Sequence, residues 1–254
     1  MIAMNNAIGR FAPVAMLAAL TAACSNTTPP TKFERTGEII ALSGGDAGAG
    51  SACIACHGLD GGGDGRLSPR LAGLDIGYIH QQLENYASGR RHHPQMSWIA
   101  DKLDWDARGK VAAFYAGLPV PPLREETGGP MADRASIAAA CDPAIVRLYH
   151  EGDTQRGIVA CASCHGEDGA GVGQGNPPLA GQPAPYLAEQ LRRWRDGERH
   201  GDALGQMTRI SRRLHAAEVE PLSDYSARLA GGRNRPGSPA ACPPARRPYP
   251  RSGA

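Results

Sequence analysis

The chain has 254 residues, room for two modest domains of the usual size. A formal net charge of +2 without a continuous basic stretch excludes a general polyanion binder, so nucleic acid is not an expected partner. Aromatic residues make up only 5%, against 33 glycines and 21 prolines, so either a bound planar cofactor helps to fill the cores or the chain is loose and linker-rich.

At the N-terminus Arg10 precedes an apolar run, Phe11 to Ala23, too short for a free-standing transmembrane helix. Residues 1–23 read as a signal peptide, which predicts export to the periplasm. The segment Leu20-Thr21-Ala22-Ala23-Cys24 also suggests a lipoprotein site, although its aliphatic residue stands one place too far upstream. Acylation of Cys24, with membrane association, therefore competes with simple cleavage near Ala23. Residues 24–36 are polar and carry Pro and Thr, as a tether would.

An internal repeat sets the architecture: residues 53–95 fall on 161–203 at a constant offset of 108 positions. Cys53-Ile-Ala-Cys56-His57-Gly58 matches Cys161-Ala-Ser-Cys164-His165-Gly166, and Pro69-Arg-Leu71-Ala72-Gly73 matches Pro177-Pro-Leu179-Ala180-Gly181. Tyr78, Gln82-Leu83 and Gly89 find Tyr186, Gln190-Leu191 and Gly197. After a three-residue insertion Met96, Ile99 and Leu103 meet Met207, Ile210 and Leu214. Two homologous domains follow, at 37–119 and 141–231, with a Pro-, Gly- and Glu-rich linker at 120–140 and a basic Pro-rich tail at 232–254.

Within each repeat the same helices are predicted. Asp75 caps one that stops at Gly89, and its twin runs from about Pro183 to Gly197. A second pair spans Asp104 to Ala116 and about Ala216 to Leu229, where Pro221 is tolerable only in the first turn. No segment alternates like a strand, so the predicted class is all-α.

Cys-x-x-Cys-His is the attachment sequence of c-type haem: two thiols bond the porphyrin edge and the adjacent imidazole lies beneath the iron. Competing readings are a redox Cys-x-x-Cys, half of a zinc site, or coincidence. A redox pair does not require His57 and His165, and tetrahedral zinc needs two further thiols or imidazoles per repeat. The complete pentapeptide occurs twice at matched places in an exported chain, which favours two covalently bound haems. Cys53 and Cys56, and Cys161 and Cys164, then carry the thioether bonds, and His57 and His165 ligate iron. Met96 and Met207, each the only methionine of its repeat, are the expected sixth ligands and fall between the two predicted helices. The rivals are His80, His92 and His93 in the first repeat and His200 and His215 in the second. Only His92 and His200 correspond, and both read as surface loop residues.

These motifs resemble the two-domain class I cytochromes c, particularly the periplasmic diheme cytochrome c-four group, over about residues 37–231. Cys-x-x-Cys-His, a proline twelve residues after its His, Pro-x-Leu-Ala-Gly, Tyr-x-x-x-Gln-Leu and the distal Met carry the resemblance. It implies two tandem class I domains, each with a few helices wrapped around a haem and facing the other across a pseudo-twofold interface. It also implies that the carbonyls of Pro69 and Pro177 orient the imidazoles of His57 and His165. The second repeat, with Gln182 and Gly197-Glu-Arg, fits more closely than the first. The Asp75-Ile-Gly77 segment, the additional Cys141 and Cys242, and the tail depart from the pattern.

Cys141 and Cys242 flank the second repeat and, in an oxidising compartment, form either a disulfide or two unpaired thiols. His/Met ligation fills both axial positions of each iron and leaves none open for a substrate. The expected function is therefore single-electron carriage without substrate chemistry, from a dehydrogenase or quinol-oxidising complex to a terminal oxidase. The alternatives are a cytochrome subunit of a dehydrogenase complex and a diheme enzyme, such as a peroxidase or thiosulfate-oxidising protein, with one open or switchable iron.

Overall fold

In the computed structural model, residues 35–121, 134–202, 204–231 and Cys242 are described. The signal segment 1–23, Cys24, most of the tether, linker residues 122–133 and the tail apart from Cys242 lie outside them. The described residues form helices and no sheet; the extended pairing among them is two isolated bridges.

The first half contains α1 (Gly37–Ser43), the short α2 (Ile54–His57), α3 (Ile76–Ala87), α4 (Pro94–Lys102) and α5 (Trp105–Gly117). The second contains α6 (Arg134–Ala140), α7 (Pro143–His150), the short α8 (Ala162–His165), α9 (Ala184–Asp196), α10 (Gln206–Arg213) and α11 (Ala216–Arg228). Side-chain oxygens start several of them by accepting otherwise unpaired first-turn amides: Thr36 takes that of Ile39, Asp75 that of Tyr78, Asp104 that of Ala107 and Asp142 that of Ala144. Gly197 closes α9 in the left-handed region, φ 76°, as its place after the last apolar turn predicts.

α3 packs on α4 and α5, and α1 on α5, around Ile40, Leu83, Leu103, Val111 and Tyr115. In the second half α9 packs on α10 and α11, with α6 and α7 against α11, around Leu148, Tyr149, Leu214, Leu222 and Tyr225. Each fully buried aliphatic or aromatic side chain stabilises its half by about 1.5–3 kcal/mol. α6 falls within the stretch read as linker, and its last residue, Ala140, is fully buried in this core.

One helical expectation is refined and another corrected. Met96 and Met207 do fall between the two predicted helices of each half, but on short helices of their own, α4 and α10, in the first turn of each, rather than on a loop. These are short helices, and α4 is started by His93 and Pro94 rather than by a long apolar period. Pro221 stands in the interior of α11, not in its first turn. Its missing N–H leaves the carbonyl of Ala217 without the usual helical donor, and Ala217 is exposed, so water can satisfy it.

The halves meet along an antiparallel bridge between Arg91 and Arg199, where the His92 amide donates to the Glu198 carbonyl (3.1 Å) and the His200 amide to the Arg90 carbonyl (2.6 Å). Cys141 and Cys242 are joined in a disulfide across 101 positions of sequence, and Cys242 packs on the second core.

Candidate functional site

Each Cys-x-x-Cys-His forms one helical turn that ends on a glycine, Gly58 at φ 77° and Gly166 at φ 84°. The loop beyond then folds back: the Gly63 amide donates to the His57 carbonyl and the Gly171 amide to that of His165, both at 2.8 Å. A Cβ at Gly63 would lie 2.4 Å from the Ser68 carbonyl oxygen, and one at Gly171 2.6 Å from that of Asn176, so only glycine permits this approach.

That fold-back delivers one carbonyl to each buried imidazole. His57 Nδ1 lies 3.0 Å from the Pro69 oxygen and His165 Nδ1 2.8 Å from the Pro177 oxygen. A carbonyl can only accept, so the proton sits on Nδ1 and Nε2 keeps its lone pair. Burial, outweighing the carbonyl bond, holds both rings below the ordinary histidine range and therefore neutral. A neutral imidazole with one nitrogen oriented by a backbone oxygen and the other free is what a metal ion requires of a ligand.

Both rings border a cavity of about 1430 Å3 that runs through the two halves and is also lined by Cys53, Cys56, Met96, Cys161, Cys164 and Met207. The structure thus brings together every predicted ligand and attachment residue, with Pro69 and Pro177. Of the rival ligands, His80 is edge-on to Trp105 and His215 stands at the start of α11, neither lining the cavity. The exposed His92 does not line it either, while exposed His200 and half-buried His93 do. His93 accepts the Met96 amide (3.3 Å) and Asp202 accepts that of Met207 (2.7 Å), fixing the start of each methionine helix.

The four motif cysteines are free of disulfides. Burial pushes the thiols of Cys53 and Cys161 up to about 11, the opposite of the lowered value that a redox Cys-x-x-Cys uses. Among the described residues no three or more His, Cys, Asp or Glu side chains converge as a metal-ion site, so the zinc reading lacks its remaining ligands.

Where the halves meet, the cavity wall carries a polar square that motif reading missed. Arg91 donates to Gln82 (2.9 Å) and Gln190 (2.7 Å), and Arg199 donates to the same two oxygens at 3.1 and 3.0 Å. Arg91 also reaches the Tyr186 hydroxyl and Arg199 that of Tyr78; the guanidiniums lie 4.5 Å over Tyr86 and 3.8 Å over Trp194. Every member has its partner at the offset of 108, which is the signal the sequence held. Both guanidiniums are buried, their bonded acceptors are amide and phenol oxygens rather than carboxylates, and Arg91 Nε has no hydrogen-bond partner among the described residues. Two buried like charges lining an apolar cavity fit a ligand that brings its own carboxylates, as haem does with its propionates.

The cytochrome c family model matches residues 151–227. A thiosulfate dehydrogenase electron acceptor of Stutzerimonas stutzeri is 38% identical over 76% of this chain and 86% of its own length. Cytochrome c4 of Pseudomonas aeruginosa is 31% identical over 73% of this chain and 90% of its own length. The chain belongs to the cytochrome c family. Among solved structures, thiosulfate dehydrogenase TsdBA of Marichromatium purpuratum superposes with a TM-score of 0.63 at 37% identity, covering 79% of this chain; this chain spans only 41% of that one. Cytochrome c4 of Pseudomonas stutzeri gives a TM-score of 0.60 at 29% identity, covering 70% of this chain and 93% of its own. The fold is therefore that of tandem class I cytochrome c domains, the cofactor is covalently bound haem c, two per chain, and the protein serves electron transfer.

Proposed function

We propose that this cytochrome is a periplasmic shuttle that takes single electrons from a dehydrogenase or quinol-oxidising complex and passes them to an oxidase, without substrate chemistry of its own. The observation that carries the reading is the matched pair of sites: one carbonyl-locked histidine and one methionine border the cavity in each half. Cys53, Cys56, His57 and Met96 would hold the first haem, and Cys161, Cys164, His165 and Met207 the second. Bound haem c supplies a one-electron iron couple. The protein's own part is positional. The Pro69 and Pro177 carbonyls fix the imidazole tautomer and raise its basicity, and with haem bound the thioethers of Met96 and Met207 would take the place a substrate would need. Arg91 and Arg199 counter negative charge at the junction. Export of the chain follows from residues 1–23, and acylation of Cys24 would tether it to the membrane surface. The relatives matched over most of their length that are named as thiosulfate dehydrogenase electron acceptors support a dehydrogenase as donor.

Spectroscopy and potentiometry of the purified holoprotein test this reading. Both ferric haems are expected to be low-spin with the weak sulfur-to-iron charge-transfer band, and the reduced protein should not bind carbon monoxide at neutral pH. Met96→His and Met207→His should each lower one of the two potentials, because imidazole favours ferric iron more than a thioether does. A high-spin haem in the wild-type protein that turns over peroxide or thiosulfate would replace the carrier reading with an enzymatic one.

A further inference from the structure

The mouths of the cavity in the two halves differ in charge although their backbones correspond. Met96 and Met207 align, so Trp98, Asp101 and Lys102 of α4 occupy the places of Arg209, Arg212 and Arg213 of α10. In the first half Lys102 bonds Asp101 at 3.3 Å and does not line the cavity, exposed Leu67 (61%) and Trp98 (49%) do, and a cation there, Arg90, donates to Asn85 on the side facing the junction. In the second half all three arginines are exposed, and Arg209 and Arg213 line the cavity.

None of these guanidiniums meets a carboxylate among the described residues. Arg209 donates to the Leu204 carbonyl (2.6 Å), Arg212 to that of Arg195 (3.4 Å) and Arg213 to that of Gly157 (2.7 Å). Arg195, on the neighbouring turn of α9, likewise donates only to the carbonyls of Ser211 and Leu214. The rim's carboxylate, Asp202, is engaged by the Met207 amide and the Thr208 hydroxyl. Backbone oxygens hold the cations in place without neutralising them. They frame exposed Leu204 (71%) and Val159 (58%), which also border the cavity.

We infer that the mouth of the second half, rimmed by Arg209, Arg212 and Arg213 around Leu204 and Val159, is the docking surface for a redox protein with an acidic surface. The inference rests on the carrier reading above. An apolar centre inside a charged rim is the pattern of a small, transient protein encounter, and uncompensated charge accelerates association with a partner of opposite sign. A protein rather than a membrane is the fitting occupant, because the cations surround an opening to the cofactor, where a partner must bring its own redox centre close.

The test is stopped-flow oxidation of the reduced holoprotein by plastocyanin, used as an acidic redox probe, from about 10 to about 500 mM salt. A neutral ferrocenium oxidant serves as control. The plastocyanin rate should fall steeply with salt, whereas the ferrocenium rate should not. Arg209→Glu combined with Arg213→Glu should slow plastocyanin on the order of tenfold at low salt, with an intermediate effect for the milder Arg209→Gln/Arg213→Gln pair. Lys102→Glu, at the matching place on α4, should leave the rate within about twofold. A salt-independent rate, or equal losses from Lys102→Glu and the arginine variants, overturns the proposal. So does binding to phosphatidylglycerol–phosphatidylcholine vesicles that the arginine variants abolish while the plastocyanin rate stays unchanged, which assigns the surface to lipid. A protein that ferrocenium cannot oxidise overturns the carrier reading, and this inference with it.

Discussion

Gln182 of the second half holds the backbone of Arg70 in the first by two hydrogen bonds, its Oε1 accepting the Arg70 amide at 3.0 Å and its Nε2 donating to the Arg70 carbonyl at 2.9 Å. Both residues are buried, and Arg70 directly follows Pro69, whose carbonyl receives the proton of His57. The grip has no counterpart in the other direction. Leu74 stands where Gln182 would repeat and Pro178, without an N–H, where Arg70 would. The proximal side of the first site is therefore secured from the second half by a side-chain grip on backbone, while the first half reaches the second site's loop through the Arg70 side chain, which donates to the Ala180 carbonyl at 3.4 Å.

Gln182→Leu is expected to leave a buried amide and a buried carbonyl unpaired and to destabilise the folded chain by about 2–4 kcal/mol. The accompanying signature is local. The first haem's potential and the electronic spectrum of its His57 ligand should shift, while those of the second haem stay in place. Potentiometric titration of the variant, with the Met96→His and Met207→His proteins used to assign each wave, reads both. Equal shifts of the two haems would show that Gln182 acts only through overall stability.

Arg91→Leu removes donors to Gln82, Gln190 and Tyr186 together, while Arg199 keeps its bonds to Gln82, Gln190 and Tyr78. Losing these charge-assisted hydrogen bonds is expected to cost about 2–3 kcal/mol, since Gln82 and Gln190 keep a donor in Arg199. Arg91→Lys should recover little of it, since a point charge cannot span three acceptors as the planar fork does. Thermal unfolding of the three holoproteins checks this order.

The repeat made much of this legible in advance. A register of 108 positions pairs His57 with His165 and Pro69 with Pro177, and Asp75, Asp104 and Gly197 mark helix ends by local chemistry that tertiary packing does not overrule. The methionine helices α4 and α10 escaped because eight or nine residues are too few for an apolar period to stand out, and Gly205 at the start of α10 offers no side-chain cap. Pro221 misled because a helix tolerates it wherever the orphaned carbonyl faces water, and sequence does not reveal that exposure. The arginine square was hidden for another reason. Nothing in the local sequence marks Arg91 and Arg199 as buried, and only the fold sets them against one another.

The disulfide between Cys141 and Cys242 closes a loop containing the whole of the second haem site. Cys242→Ser should destabilise the second half by about 2–4 kcal/mol, through the entropy regained by the unfolded chain. Non-reducing peptide mapping should recover the two cysteines in one fragment from the wild-type protein. Under mild reduction the melting of the second haem's environment should shift down while that of the first stays, which absorbance at two wavelengths resolves.

The stability of the second half should also fall on acidification, through the pair of carboxylates that grip Arg156. Arg156 donates to both oxygens of Glu218 at 2.8 and 2.9 Å and to Asp153 at 2.6 Å, and Glu218 accepts the His215 amide at the start of α11 as well. Partial burial alone would raise the Glu218 carboxyl, but the Arg156 and His215 bonds outweigh it and hold the group below its ordinary value of 4.5; the same guanidinium holds Asp153 below 3.8. A carboxylate whose value is depressed by folding contributes stability that is fully present above its unfolded value and disappears as pH falls through the folded one. Melting temperature should therefore be flat from neutral pH down to about 5 and should drop below about 4.5, where the unfolded chain begins to bind protons that the folded chain refuses. Arg156→Gln removes the cause. It should be modestly less stable than wild type at neutral pH and show a shallower fall in acid, so that the two proteins converge as the carboxylates become protonated. Parallel curves for wild type and variant between pH 6 and pH 3 would place the acid sensitivity elsewhere in the molecule.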